Sequence, residues 1–214
     1  MVLTERQKDI LYKTIFEYID RAQPISSSWL EERYELPFSS ATIRSELSSL
    51  AGEGYLEQPH TSAGRVPTDR GYRFFVNESL EKRVLDEEDA EDESDFSDLV
   101  LAYHRNILWK EGWEHLLQEP EFTRAELRGN FTKFLLDVEQ NIERALEGER
   151  LQVYIGRENP FSRIVDFSII VCECDFAKGQ NGFVAIVGPK RMRYHKNIRL
   201  IQPLVDVWKK RLKR

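Results

Sequence analysis

Ser39-Ser40-Ala41-Thr42-Ile43-Arg44-Ser45-Glu46-Leu47, running on to Gly54-Tyr55-Leu56-Glu57-Gln58-Pro59, decides the reading of the N-terminal region. The serine pair predicts a helix start, because a serine side chain accepts bonds from the free amides that open a helix. Ile43, Leu47 and Leu50 recur at i, i+4 and i+7, which places them on one buried stripe. Ala41, Arg44, Ser45 and Ser48 then share the opposite face. Small polar residues with one guanidinium suit a helix that enters a DNA major groove and reaches a base edge. An ordinary amphipathic surface helix is the competing reading, and this segment alone does not separate the two.

The flanks shift the balance toward the DNA-reading helix. Upstream, Thr4-Glu5-Arg6-Gln7 is a capping box. Ile10, Leu11, Ile15, Tyr18 and Ile19 follow at helical spacing, so a first helix is predicted from Glu5 to Arg21, stopping before Pro24. Ser26-Ser27-Ser28 opens a short second helix through Trp29, Leu30 and Tyr34. Glu35-Leu36-Pro37-Phe38 is the turn into the third. Three helices with a tight turn before the last describe a helix-turn-helix. Downstream, Tyr55 to Pro59 reads as a strand, His60-Thr61-Ser62-Ala63-Gly64 as a tip, and Arg65-Val66-Pro67 as the return. That hairpin would be a wing. Thr68-Asp69 can cap a further helix to about Leu85, with Tyr72, Phe75, Val76 and Leu80 on one stripe, packed beside the first helix.

Residues Leu3 to Asn77 resemble the N-terminal domain of the heat-inducible transcription repressor family, HrcA. The resemblance rests on Ser39-Ser40-Ala41-Thr42-Ile43-Arg44 and on the unbroken run from Gly54 through His60-Thr61-Ser62-Ala63-Gly64-Arg65-Val66-Pro67-Thr68-Asp69-Arg70-Gly71-Tyr72-Arg73. It implies a winged helix that binds an inverted-repeat operator on double-stranded DNA upstream of chaperone operons. It also implies a repressor that depends on the chaperonin as a partner. Glu111 to Phe122, Ile155 to Pro160 and Val187 to Tyr194 are similar to further family segments, which belong to a GAF-like domain. Where family members carry the first strands of that domain and an inserted dimerisation subdomain, this sequence has the acidic run Asp86-Glu87-Glu88-Asp89-Ala90-Glu91-Asp92-Glu93-Ser94-Asp95.

The chain carries a net charge of −6, the opposite of a simple basic DNA-binding domain. Nine acidic and no basic residues lie between Val84 and Asp98, and the first 83 residues are near neutral. DNA binding must then rely on a local cluster, with Arg44 on the helix and Arg65, Arg70 and Arg73 in and after the wing. The candidate DNA-contacting set is Ser39, Ser40, Ala41, Thr42, Arg44, Ser45 and Ser48 on the helix, His60, Thr61 and Ser62 at the tip, and Arg65, Arg70 and Arg73. Arg44 is expected to pair with guanine, and Arg65 to lie in the minor groove or on its backbone edge.

The acidic run reads as a solvated linker. The expected organisation is a DNA-binding domain over 1–85, a linker over 86–98 and a reduced GAF-like domain over 99–214. The fold class is α+β. In the last part, helical spacing predicts a helix from Phe96 to Gln118 (Leu99, Tyr103, Ile107, Leu108, Leu116) and another from Thr123 to Gly148. Strands are predicted at Leu151–Ile155, Phe167–Phe176 and Gly182–Val187, forming a small antiparallel sheet with a hairpin at Ala177 to Gly182. A final helix from about Arg191 to Leu212 carries Ile198, Ile201, Leu204, Val205, Trp208 and Leu212. This stripe either joins two copies as a homodimer or packs on the chain's own sheet.

Four histidines, His60, His104, His115 and His195, form no ligand pair, and the two cysteines, Cys172 and Cys174, lack the companions a zinc site needs. No catalysis, metal or cofactor is expected, and the thiols read as inert. No apolar run approaches the roughly 18 residues that span a bilayer, so no membrane partner is expected and the expected location is the cytoplasm, at the nucleoid. The alternative function is a ligand-sensing regulator whose GAF-like half binds a small molecule. The continuous apolar character of Phe167–Phe176 weighs against a polar pocket there.

Overall fold

The computed structural model describes residues 3–61, 63–83, 98–104, 107–141, 151–177 and 180–212. The acidic run, Ser62, the extension of the fourth helix to Leu85, the segment from Ile142 to Gly148 and Lys178-Gly179 lie outside the described residues. The chain forms two compact units, Met1–Glu78 and Ser79–Arg214.

In the first unit, local capping sets the helix starts. α1 (Glu5–Arg21) begins at Thr4, whose hydroxyl accepts from the Gln7 amide while Gln7 accepts back from the Thr4 amide at 3.0 Å. α2 (Ser27–Tyr34) is capped by Ser26, and α3 (Ser40–Gly52) by Ser39, which accepts from the Thr42 amide. Glu31 adds a second acceptor at the α3 start, taking the Ser40 amide at 2.9 Å. Gly54 leaves α3 with a φ of +79°, a left-handed turn that favours glycine. β1 (Leu56–Glu57) and β2 (Val66–Pro67) then pair antiparallel, and α4 (Asp69–Arg83) follows. Ile10, Leu11, Ile15 and Ile19 bury one stripe of α1, and Ile43, Leu47 and Leu50 the matching stripe of α3. Tyr12 stacks on Phe75 of α4 with centroids 4.7 Å apart.

The second unit departs from the sequence expectation. The segment read as one helix from Phe96 to Gln118 is a hairpin of β3 (Leu99–His104) and β4 (Ile107–Glu111), followed by the short α5 (Trp113–Leu116). Leu99 to Ala102 are all buried. A strand covered on both faces loses the alternation that identifies strands, and its apolar residues fell by coincidence at helical spacing. A single 3-10 turn at Pro120–Thr123 leads into α6 (Ala125–Asn141). β5 (Leu151–Ile155), β6 (Phe167–Ala177), β7 (Gln180–Pro189) and α7 (Tyr194–Leu212) complete the unit.

The sheet therefore has five strands rather than three, in the order β4-β3-β7-β6-β5, all antiparallel. The described elements are mixed helix and small antiparallel sheet, an α+β arrangement. α6 covers one face. Phe131 and Phe134 lie 5.0 and 5.2 Å from the Phe167 ring, within a core that includes Leu101, Ile169 and Phe183. α7 covers the other face, where Ser168 and Tyr194 share a 2.7 Å hydroxyl contact. Ile198, Ile201, Val205 and Trp208 are buried, and Trp208 packs against Trp109 of β4. The stripe offered as a dimer contact is thus used by the chain's own sheet. Its former competitor, packing on that sheet, is the one observed.

Asp98 also departs from its reading as linker. It is buried at the start of β3 and accepts from Asn197 of α7 at 2.7 Å. Burial pushes its carboxyl up to about 7.

Candidate nucleic-acid interface

Burial of Ile43, Leu47 and Leu50 turns the other side of α3 outward, and Ala41, Arg44, Ser45 and Ser48 are all exposed there. The hairpin stands beside this face. Gln58 ties its tip by donating to the carbonyls of Thr61 and Ala63 at 2.9 and 3.0 Å. The returning strand is tied to the segment before α2. Arg65 donates its amide to the Ile25 carbonyl at 2.8 Å, and the Ile25 amide donates back to the Arg65 carbonyl at 2.9 Å. Gly64 makes this approach possible, since a side chain there would land on the Ile25 backbone.

These ties enclose a polar cleft of about 410 Å³. The start of α2, the exposed face of α3 and the hairpin form its walls. Arg44 and Arg65 both line it, with Ser27, Ser28, Ser48 and Thr61, and no carboxylate among the described residues does. The Arg65 guanidinium donates to Ser48 Oγ at 3.4 Å, and Ser48 in turn donates to the Arg44 carbonyl at 2.9 Å. Arg65 Nε is buried without an acceptor.

Other cations of the unit are held internally. Arg6 pairs with Glu46, Lys13 with Asp9, and Arg33 with Glu17. Arg21 lies over the Trp29 ring at 3.6 Å. Among the described residues Arg44 and Arg65 have no carboxylate or aromatic partner.

The structure brings together only part of the candidate set. Arg44, Ser48, Thr61 and Arg65 share the cleft, and Ala41 and Ser45 extend the open face. Ser39, Ser40 and Thr42 sit at the first turn of α3, where Ser39 is occupied as the cap and its hydroxyl also meets that of Thr42 at 3.1 Å. His60 is exposed at the hairpin tip. Arg70 is not in the cleft. It donates to the Glu53 carbonyl at 2.7 Å and to Tyr55 Oη at 3.2 Å, stacked over the Tyr55 ring, and so braces the turn out of α3. Arg73 is half-buried on α4. In the sequence Ser27 and Ser28 mark only a helix start. The triple serine was the available signal, because polar side chains beyond the single cap are not needed to open a helix.

In the second unit, the buried Arg191 guanidinium is held by two carboxylates, donating to Glu121 at 2.8 Å and to Glu119 at 2.5 Å. Cys172 and Cys174 are buried and form no disulfide, and burial pushes the Cys174 thiol up to about 12, which keeps it a poor nucleophile. Among the described residues no cluster of histidine, cysteine and acidic side chains has the makings of a metal site. None of the described helices is long and apolar enough to cross a membrane.

The family model described as the HrcA protein C-terminal domain matches residues 73–198. The chain belongs to the HrcA family. The heat-inducible transcription repressor HrcA of Thermoanaerobacter sp. (strain X514) is 51% identical to it over 87 residues, 41% of this chain and 25% of that protein. The HrcA repressor of Natranaerobius thermophilus is 55% identical over 80 residues, 37% of this chain and 23% of that protein. The chain thus aligns with about a quarter of the length of these curated HrcA relatives. A crystal structure described as that of a hypothetical protein superimposes with a TM-score of 0.83, covering 98% of both chains at 21% identity, and shares the fold.

Proposed function

We propose that this HrcA-family chain is a transcription repressor of heat-shock (chaperone) operons that binds double-stranded DNA through its first unit. In this reading α1 to α3 with the β1–β2 hairpin form a winged helix. α3 enters the major groove with Ala41, Arg44, Ser45 and Ser48 outward, and the hairpin rests on the adjacent backbone. The observation that carries the reading is the polar, carboxylate-free face on which Arg44 and Arg65 stand without internal counterions, in a chain whose net charge is −6. The matched relatives are named heat-inducible transcription repressors, which supports the heat-shock part of this reading.

An inverted-repeat operator calls for two-fold symmetry and hence for a homodimer. The second unit, read as GAF-like, is the proposed dimerisation and regulatory part, and the chaperonin the proposed further partner. The site of action is the nucleoid in the cytoplasm. The test is a mobility shift with duplexes from upstream of this gene and of chaperone operons, beside scrambled duplexes of equal length. Preferential, salt-sensitive retardation of an inverted repeat is expected. Equal retardation of both duplexes would remove the sequence-specific repressor reading.

A further inference from the structure

The cleft between α2, α3 and the hairpin is more than the gap between a groove-reading helix and its neighbour. Its two cations converge on one concave space, and its hydroxyls come from three separate elements. Arg65 is fixed at its backbone by the paired bonds to Ile25, so its side chain is delivered across the cleft toward Ser48. The Ser48 hydroxyl is a weak acceptor for a full positive charge, and Nε has no acceptor at all. Ser27 and Ser28 open α2 on the opposite wall, where the first amides of a helix have no intrahelical acceptor. Donors and positive charge thus face a space to which the described residues bring no carboxylate.

We infer that this cleft seats a phosphodiester of the DNA backbone, held between Arg44 and Arg65 with the hydroxyls of Ser27, Ser28 and Ser48 around it. The inference rests on the DNA-binding reading and deepens it. A volume of about 410 Å³ exceeds a lone phosphate ion, so the occupant is a phosphate with its flanking sugars, a strand running past the cleft. Arginine suits the role because its planar fork makes paired, charge-assisted bonds to phosphate oxygens. Arg44 is thereby drawn from a base edge to the backbone. Base reading passes to Ala41 and Ser45, where an alanine methyl can meet a thymine methyl and a serine hydroxyl can meet either bonding partner. Arg65 lies in the cleft wall on a backbone phosphate and not in the minor groove.

The test uses the full chain, the duplex that it retards best and a scrambled duplex. Dissociation constants are measured over a range of salt for wild type, Arg44→Gln, Arg65→Gln and the charge-keeping Arg65→Lys, with folding checked by circular dichroism. Each glutamine variant is expected to lower the salt slope by about one on both duplexes, and to weaken both by the same factor. Arg65→Lys is expected to keep the slope. Loss confined to the preferred duplex with an unchanged slope for Arg44→Gln would overturn the seat and return Arg44 to a base, while leaving DNA binding intact. Wild type that binds neither duplex would remove the DNA-binding reading, and the seat with it. Should Arg65→Gln not fold, the Arg65 Nε–H resonance of wild type decides. It is expected to move on adding duplex, and a fixed resonance overturns the seat. Saturation of that shift by micromolar inorganic phosphate would identify a free anion site instead of a backbone seat.

Discussion

The two units answer their buried charge alike and differ at one cleft. In the second, the buried Arg191 meets Glu119 and Glu121, Lys110 pairs with Glu139, and the buried Asp98 is bonded to Asn197. Polar and charged groups there find partners within the fold, as buried ones must where water cannot reach them. In the first unit, Arg44 and Arg65 converge on a cleft that offers them no carboxylate. Hydrophobic patterning is similar in both, with apolar stripes buried against neighbouring elements. What differs is that cleft, where counter-charge is left out, and the proposed DNA seat rests on that omission.

The largest expected effect tests the closed character of the second unit. Phe131 is buried and touches Phe122 and Phe167 edge-on, at 5.1 and 5.0 Å between centroids. Phe131→Ala should cost about 3–5 kcal/mol, read as a lowered urea midpoint. A loss below about 1 kcal/mol would mean that α6 is not the lid on this face of the sheet.

Asp98 gives the next effect, and its sign is the reverse of the usual carboxylate. Its ordinary value is 3.8 and burial raises it to about 7 in the fold, so the folded state holds the proton more tightly than the unfolded one. Stability from this group is full below about pH 4, falls as pH rises toward 7, and is constant above it. Asp98→Asn keeps an acceptor for Asn197 and cannot ionise. Its advantage over wild type should therefore grow between pH 4 and 7, to a ceiling of about 4 kcal/mol. Parallel pH–stability curves for the two proteins would show that Asp98 is charged in the fold and answered by groups other than Asn197.

These residues also mark the limit of what the sequence shows. Helix starts in the first unit are legible because a cap is a local event. Thr4 and Gln7, or Ser39 and Thr42, are three residues apart and carry their whole reason with them. The exposed face of α3 is legible for the same reason, as the complement of one buried stripe. β3 is not, because its burial on both faces depends on α6 and α7. Asp98 reads as the last of nine acids, since nothing near it announces Asn197, a partner 99 positions on. The arginines are the subtlest case. Arg65 and Arg70 are five residues apart, and only folding sends one to the cleft and the other to the Glu53 carbonyl.

Glu17, like Glu46, is a buried carboxylate of the first unit whose charge is answered within the fold. It accepts from Trp29 Nε1 at 3.1 Å and from Tyr34 Oη at 2.7 Å, with Arg33 at 3.6 Å, and so ties α1 to α2. Burial, then the bond to Glu17, raises the Tyr34 phenol above its ordinary value. Glu17→Ala leaves two donors without an acceptor and should cost about 1–3 kcal/mol. It should also bring the Tyr34 titration down toward the usual phenol range, followed by ultraviolet absorbance. An unmoved Tyr34 would mean that burial alone sets its value, and that the bond contributes little.

The smallest effect separates structure from contact on the face proposed to meet DNA. Ser39 was read both as a cap and as a DNA-contacting residue, and its hydroxyl is occupied by the Thr42 amide at 3.3 Å. Ser39→Ala should cost about 0.5–1 kcal/mol, the low end for a lost cap, because Glu31 still takes the Ser40 amide. Hydrogen exchange should quicken at Thr42 while the middle of α3 stays protected. Ser39→Asp should restore the slow exchange, since aspartate caps as well as serine. On DNA the two variants then part: a capping role predicts that aspartate recovers affinity, whereas a hydroxyl laid against a phosphate predicts that its negative charge weakens binding further. Recovery by Ser39→Asp keeps Ser39 among the residues that build the face, and a deeper loss moves it among those that touch the partner.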